Sequence, residues 1–299
     1  MTHALIRKLL ERAPVITDGA WGTQLQARGL APGEAPDLWN LTHPQDVAAV
    51  ARSYVEAGSH LILTNTFGAN RFRLADAEAA DKVGEINKAG VALSRRAAGR
   101  EALVFASIGP SGKLLMSGDV TEEELRDGYA EQAAALAESK PDGLVLETFQ
   151  DIAEVRIAIA AAKATGLPVV ASMVFDSGKE LDHTMMGTTP EQAAEAIVTA
   201  GADVVGANCG QGIAGFVAIC ARLKAAAKGA PVWIKANAGL PTMADGKAVY
   251  ATTAAEFVGH VPAVLQAGAS FIGGCCGTNP DFIRGVVQLL KASRCSGSG

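Results

Sequence analysis

Gly201-Ala202-Asp203-Val204-Val205-Gly206-Ala207-Asn208-Cys209-Gly210 holds the unit from which the fold can be read. A glycine turn of the kind that ends a helix leads into a short apolar run, which finishes on polar residues and a cysteine. The run is continuous rather than alternating, which suits a strand covered on both faces, as in a parallel sheet. The same unit recurs in both directions along the chain. Apolar runs rich in β-branched residues occupy positions 15–17, 61–64, 103–106, 144–146, 169–174, 232–235 and 270–272. Small turns precede most of them: Ala57-Gly58, Pro141-Asp142-Gly143, Gly166-Leu167-Pro168, Gly229-Ala230-Pro231 and Ala267-Gly268. Ala-rich segments of helical spacing lie between, among them 122–138, 152–164, 190–200 and 215–227, and Thr121 and Thr189 stand where N-caps belong. Eight strands alternating with helices over 299 residues predict an α/β protein, a single (β/α)8 barrel. A doubly wound open sheet is the alternative that the pattern leaves open.

Composition narrows the class further. Hydrophobic residues make up 49% and charged residues 19%, enough apolar material for a large core. The net charge is −5 and no run of Lys or Arg occurs, which argues against a nucleic-acid or anionic-membrane surface. Arg7 follows too soon after Met1 for a signal-peptide core. The uncharged stretch 257–280 has the length of a membrane span, but Pro262, Gln266, Gly273-Gly274 and Pro280 make it a helix end, a turn and a buried strand. The expectation is a soluble, cytoplasmic protein with one domain over 1–292 and a flexible tail over 293–299. Five cysteines without an export signal argue against a disulfide framework.

In such a barrel the chemistry sits where strands end and βα loops begin. Those places hold Asp18-Gly19-Ala20, Asn65-Thr66-Phe67-Gly68, Ile108-Gly109-Pro110-Ser111-Gly112, Glu147-Thr148, Asn208-Cys209-Gly210, Asn237-Ala238-Gly239 and Gly273-Gly274-Cys275-Cys276-Gly277. Cys209 ends the sixth strand, and Cys275 and Cys276 end the eighth. On one rim the three can converge on Zn²⁺ and leave a fourth position open. Spacing alone also allows small buried hydrophobes, or a redox disulfide between Cys275 and Cys276. Cys220, among alanines, and Cys295, near the end, carry no such signal. Asp18 and Glu147 suit a ligand ammonium or acid–base work, with helix capping as the alternative. Gly210-Gln211-Gly212-Ile213-Ala214-Gly215 satisfies G-x-G-x-x-G, but no Asp or Glu follows until after Ala244, so it reads as a tight turn rather than a dinucleotide site. His3, His43, His60, His183 and His260 show no metal spacing, and no H-E-x-x-H, C-x-x-C or Walker A pattern occurs.

Taken together, the strand ends resemble a known family. Asp-Gly-Ala-Trp-Gly-Thr at 18–23, Thr-Asn-Thr-Phe at 64–67, Ser-Ile-Gly-Pro-Ser-Gly at 107–112, Glu-Thr-Phe at 147–149, Gly-Ala-Asn-Cys-Gly at 206–210 and Gly-Gly-Cys-Cys-Gly-Thr at 273–278 resemble the homocysteine S-methyltransferase family. That family includes the homocysteine-binding module of cobalamin-dependent methionine synthase, betaine–homocysteine methyltransferase and S-methylmethionine-dependent enzymes. The resemblance implies a (β/α)8 barrel, Zn²⁺ on Cys209, Cys275 and Cys276, and homocysteine and a methyl donor as substrates. It implies that Asp18 and Glu147 accept the homocysteine ammonium and that the backbone at Gly19 and Ala20 takes its carboxylate. It also implies that Asn237 fills the fourth zinc position until substrate arrives. A thiol of pKa about 8.5 is mostly protonated at neutral pH, and zinc coordination deprotonates it. Three thiolates leave such a site with an excess negative charge, which a fourth increases, keeping the acceptor sulfur nucleophilic. The implied reaction is in-line methyl transfer to that sulfur, giving methionine.

The donor is the part that varies within this family. Betaine users carry an aromatic residue directly after the ammonium-binding glutamate, where this chain has Thr148; Trp39 is the aromatic available for one wall of a cation cage. Two donors remain: a sulfonium such as S-methylmethionine, or a methylated corrinoid carried by a separate protein. A small sulfonium or ammonium donor is preferred, because the barrel alone then completes turnover. Two other classes stay open. A non-catalytic zinc- or thiol-binding barrel has no use for the strand-end carboxylates, and a phosphate-binding barrel leaves Cys209 unexplained.

Overall fold

The computed structural model describes residues 2–244 and 247–296. Its eight parallel strands are β1 (Val15–Ile16), β2 (Leu61–Ile62), β3 (Leu103–Ile108), β4 (Gly143–Phe149), β5 (Val169–Met173), β6 (Val204–Gly212), β7 (Val232–Asn237) and β10 (Ala269–Gly274); an antiparallel hairpin, β8 (Thr242–Ala244) with β9 (Lys247–Val249), follows β7. Neighbours run β1-β10-β7-β6-β5-β4-β3-β2, so every strand lies beside the next parallel strand in the chain. The His60 amide donates to the Ile16 carbonyl (2.8 Å) and bridges β1 to β2. A doubly wound sheet would reverse its order at a switch point; this one runs round as a barrel, as the strand pattern predicts.

Helices cover the outside, and their ends follow local chemistry. Glu122–Glu138, Pro190–Thr199 and Ala254–Gln266 each begin with a capping box, on Thr121 with Glu124, Thr189 with Gln192 and Thr253 with Glu256. The helix Pro44–Ala57 stops at Gly58, whose φ of 98° only glycine adopts readily. The stretch 257–280 contains the end of one helix, a turn and β10, with Pro262 inside the helix. The final helix, Pro280–Ser296, runs four residues into the expected tail; residues 297–299 lie outside the described residues.

The strand parity places the site. Val104, Leu144, Ala171, Val205 and Ile234 face outward and pack under the helices. The alternate residues Val15, Leu61, Phe105, Val145, Val170, Val204, Trp233 and Phe271 fill the barrel, and Ile6 and Leu9 of the helix Ala4–Leu10 join them. Two residues further along the same strands, roughly 6.6 Å towards their C-terminal ends, the inward positions become Thr17, Leu63, Ser107, Glu147, Ser172, Gly206, Lys235 and Gly273. The barrel interior is thus apolar below and largely polar above.

Candidate metal and acceptor site

Two strands depart from regular pairing at the site. β4 loses register between Leu146 and Phe149, and β6 between Asn208 and Gly212. Within these bulges Thr148 has φ 68° and Cys209 φ 60°, left-handed conformations that cost a non-glycine residue about 1–2 kcal/mol each. Asn208, fully buried, ties the bulges together. Its Oδ1 accepts from the Thr148 amide (2.8 Å) and the Ser172 hydroxyl (2.6 Å). Its Nδ2 donates to Thr148 Oγ1 (2.7 Å) and points to Cys275 Sγ at 3.9 Å. The turn after β10 is held to β7 by Cys275 N–H on Ala236 O (2.7 Å) and Ala238 N–H on Cys276 O (2.9 Å). On its other side β10 lies so close to the end of β1 that only glycine fits at 273: a Cβ there would lie 1.9 Å from Thr17 Oγ1.

These elements bring Cys209, Cys275 and Cys276 together, with all three sulfurs within 4.8 Å of one another and Cys209 Sγ 3.8 Å from Cys276 Sγ. A tetrahedral zinc site with Zn–S of about 2.3 Å has S···S edges of about 3.8 Å. The thiol set therefore fits a zinc ion. All three are free thiols in this structure. The group resists ionisation without a cation. The hydrogen bond with Cys275 favours a Cys209 thiolate, but the bond to Cys276, burial and the neighbouring charge outweigh it and push Cys209 up to about 12. For Cys276 the bond to Cys209 also favours the thiolate, against Cys275 and burial, and the result is again about 12. Cys275 is pushed well above the usual thiol range by its bond to Cys209, by burial and by the charges of Cys209 and Glu147. A cation among the sulfurs removes this obstacle. Asn237 sits at the end of β7 with its Oδ1 buried and, among the described residues, without a hydrogen-bond partner. Cys220 is buried in the helix Phe216–Ala226 away from this group, and the Cys295 side chain lies outside those described.

A cavity of about 580 Å³ opens over the thiols. Glu147, Lys235, Gly19, Ala20, Trp21 and Thr148 line it, together with Phe67, Asp37 and Arg73. Glu147 Oε1 accepts from the Ser107 hydroxyl (2.5 Å), and burial raises its pKa against the pull of Lys235 and Ser107. Asp18 is fully enclosed. Its Oδ2 accepts from Trp21 Nε1 and the Leu63 amide (both 2.8 Å), and its Oδ1 is ion-paired with Lys235 Nζ. Burial works against the Lys235 ammonium, but the carboxylates of Asp18 and Glu147 more than offset it, so Lys235 stays charged. Gly19 is hemmed in by the Tyr54 hydroxyl and Thr278 Oγ1, and the Ala20 amide already donates to Thr278 Oγ1 (3.1 Å). Trp39 is not a cavity wall. It is buried, stacks on His43 at 4.1 Å and donates to Glu34 (2.7 Å), while Trp21 and Phe67 are the aromatic residues that face the space. Sequence reasoning missed Lys235, Asn208, Trp21 and Asp37. Lys235 carried a readable signal: it is a lone cation inside the apolar run Val232-Trp233-Ile234, at an inward-facing parity.

The thiols gather at the C-terminal rim, where the strand ends of (β/α)8 barrels carry their chemistry. Residues 15–290 match the family model described as homocysteine S-methyltransferase, and the chain belongs to that family. That family is described by methyl transfer to the sulfur of homocysteine. It is 30% identical to a methionine synthase of Mycobacterium tuberculosis over 94% of this chain and 25% of that protein, so it spans about a quarter of that relative. It is 29% identical to betaine–homocysteine S-methyltransferase 1 of Danio rerio, over 98% of this chain and 76% of that one. The metallated structure of the homocysteine methyltransferase MmuM of Escherichia coli has the same fold, with a TM-score of 0.77 at 22% identity over 95% of this chain and 99% of the other. Among the described residues no helix is long and apolar enough to cross a membrane.

Proposed function

We propose that this chain transfers a methyl group from a small cationic donor to the thiol of homocysteine, giving methionine, with Zn²⁺ held by Cys209, Cys275 and Cys276. The observation that carries the reading is the three-thiol group, with its 3.8 Å edge, opening onto a cavity that also presents Glu147. The unpartnered Oδ1 of Asn237 supports this residue as the ligand that yields to substrate. Zinc bound there supplies the Lewis acidity that keeps an acceptor sulfur deprotonated at neutral pH. The chain's own residues do the rest. Glu147 holds the acceptor ammonium, and the enclosed barrel end excludes water and keeps sulfur and donor in line. A thiol-rich site of this kind suits the reducing cytoplasm.

A small donor is supported by other residues of the cavity lining. Asp37 offers a buried carboxyl, and Trp21 and Phe67 offer aromatic surface, which together suit a sulfonium or quaternary ammonium. The likeness to about a quarter of a methionine synthase supports a second reading, in which a separate corrinoid protein brings the methyl group. Zinc-loaded protein and homocysteine, incubated separately with S-methylmethionine, betaine and methylcobalamin, decide between them by the methionine formed. Turnover with a small donor is expected. Turnover with methylcobalamin alone would make the chain the acceptor half of a split system.

A further inference from the structure

The acceptor pocket carries a cation that neither the family match nor the proposed reaction assigns. Lys235 is 2% exposed by its side chain, yet it lines the cavity together with Glu147, whereas Asp18 does not reach the cavity wall. Asp18 has three donors on its two oxygens: Lys235 Nζ, Trp21 Nε1 and the Leu63 amide. Little acceptor capacity is left for a ligand. An ammonium group has three donors and Asp18 uses one, so Lys235 can offer others to the cavity. The cavity therefore presents the buried Lys235 ammonium and the buried Glu147 carboxyl together with the thiols, and this pair is the complement of a zwitterion; Asp37, Asp76 and Arg73 also belong to the lining.

We propose that Lys235 is the specificity-determining residue for the acceptor's carboxylate, with Asp18 as its fixed counter-ion and Glu147 alone receiving the acceptor's ammonium. The assignment rests on the acceptor reading above and departs from the role the resemblance implies for Asp18. It makes the preferred acceptor a thiol with an α-amino-acid head, recognised at both charges.

The test is calorimetric binding to the zinc-loaded full chain of three thiols: homocysteine, 4-mercaptobutanoate, which lacks the ammonium, and 3-aminopropane-1-thiol, which lacks the carboxylate. In the native protein, loss of the carboxylate should weaken binding roughly tenfold to a hundredfold, the range of a hydrogen bond to a charged group. The double variant Asp18→Asn with Lys235→Met removes both buried charges together. It should bind homocysteine and 4-mercaptobutanoate at least about tenfold more weakly, with 3-aminopropane-1-thiol changed less than about threefold. Glu147→Gln should show the opposite selectivity. Equal weakening of all three thiols in the double variant would mean a packing role and overturn the proposal, as would unchanged 4-mercaptobutanoate binding. If the double variant does not fold, the native comparison decides: equal affinity for homocysteine and 3-aminopropane-1-thiol refutes carboxylate reading by Lys235. Absence of binding by any of the thiols overturns the acceptor reading itself, and is distinguishable because selectivity is then undefined.

Discussion

Replacing Asn208 by alanine should damage the metal site although Asn208 is not itself one of the proposed ligands. The side chain is fully buried and makes three short hydrogen bonds, to the Thr148 amide, the Thr148 hydroxyl and the Ser172 hydroxyl. At about 1 kcal/mol net each, with a further penalty for groups left unpaired in the interior, the loss comes to about 3–5 kcal/mol. That is a large share of the 5–15 kcal/mol typical of a folded domain. The local consequence is sharper. Thr148 and Cys209 both hold left-handed backbone, and the Asn208 clasp is what joins their two bulges. Without it Cys209 is free to relax, and zinc affinity should fall about 10- to 100-fold, as when supporting hydrogen bonds around a metal site are removed. Chemical denaturation of metal-free protein gives the first number, and competition with a chromophoric chelator gives the second. Asn208→Asp keeps the Oδ1 acceptor and should retain more of the metal-free stability than alanine does. An alanine variant within about 1 kcal/mol of the native protein, holding zinc unchanged, would show that strand pairing alone maintains the bulges.

The cysteines and Asp37 give two further expectations. Cys209→Ala, Cys275→Ala and Cys276→Ala should each lose tightly bound zinc, measured by metal analysis, while the barrel stays folded, because its core lies in the separate apolar layers; native zinc content in all three would sink the site. Asp37 is raised from 3.8 to about 7 by burial, against the Gly68 amide bond (3.0 Å). The folded chain therefore keeps a proton that the unfolded chain releases, so stability falls as pH rises from about 4 to about 7 and then levels off. Asp37→Asn lacks this dependence, and its stability relative to the native protein should grow across that window by up to a few kcal/mol, at about 1.4 kcal/mol per pKa unit. A difference in melting behaviour that is flat with pH would place the titration elsewhere.

Much of the molecule was legible in the sequence because its signals are local. Continuous apolar runs located all eight parallel strands, and Thr121 and Thr189 marked helix starts through hydrogen bonds that reach only three residues ahead. The strand ends were legible for the same reason, so Cys209, Cys275 and Cys276 could be set on one rim before their distances were known. The tertiary structure decided what meets inside the ring. Lys235 and Asp18 are 217 residues apart, and nothing near either residue announces the other. Asn208 looked like one more polar residue at a strand end until the β4 bulge came within reach of both atoms of its amide. Trp39 and Trp21 stand in the same βα connection, yet the turn through Pro36–Leu38 buries the first and leaves the second facing the cavity. Period-two alternation tells which side of a strand a residue takes, but opposing charges find each other across a barrel only after eight strands have closed, because that closure brings distant strand ends into one low-dielectric space.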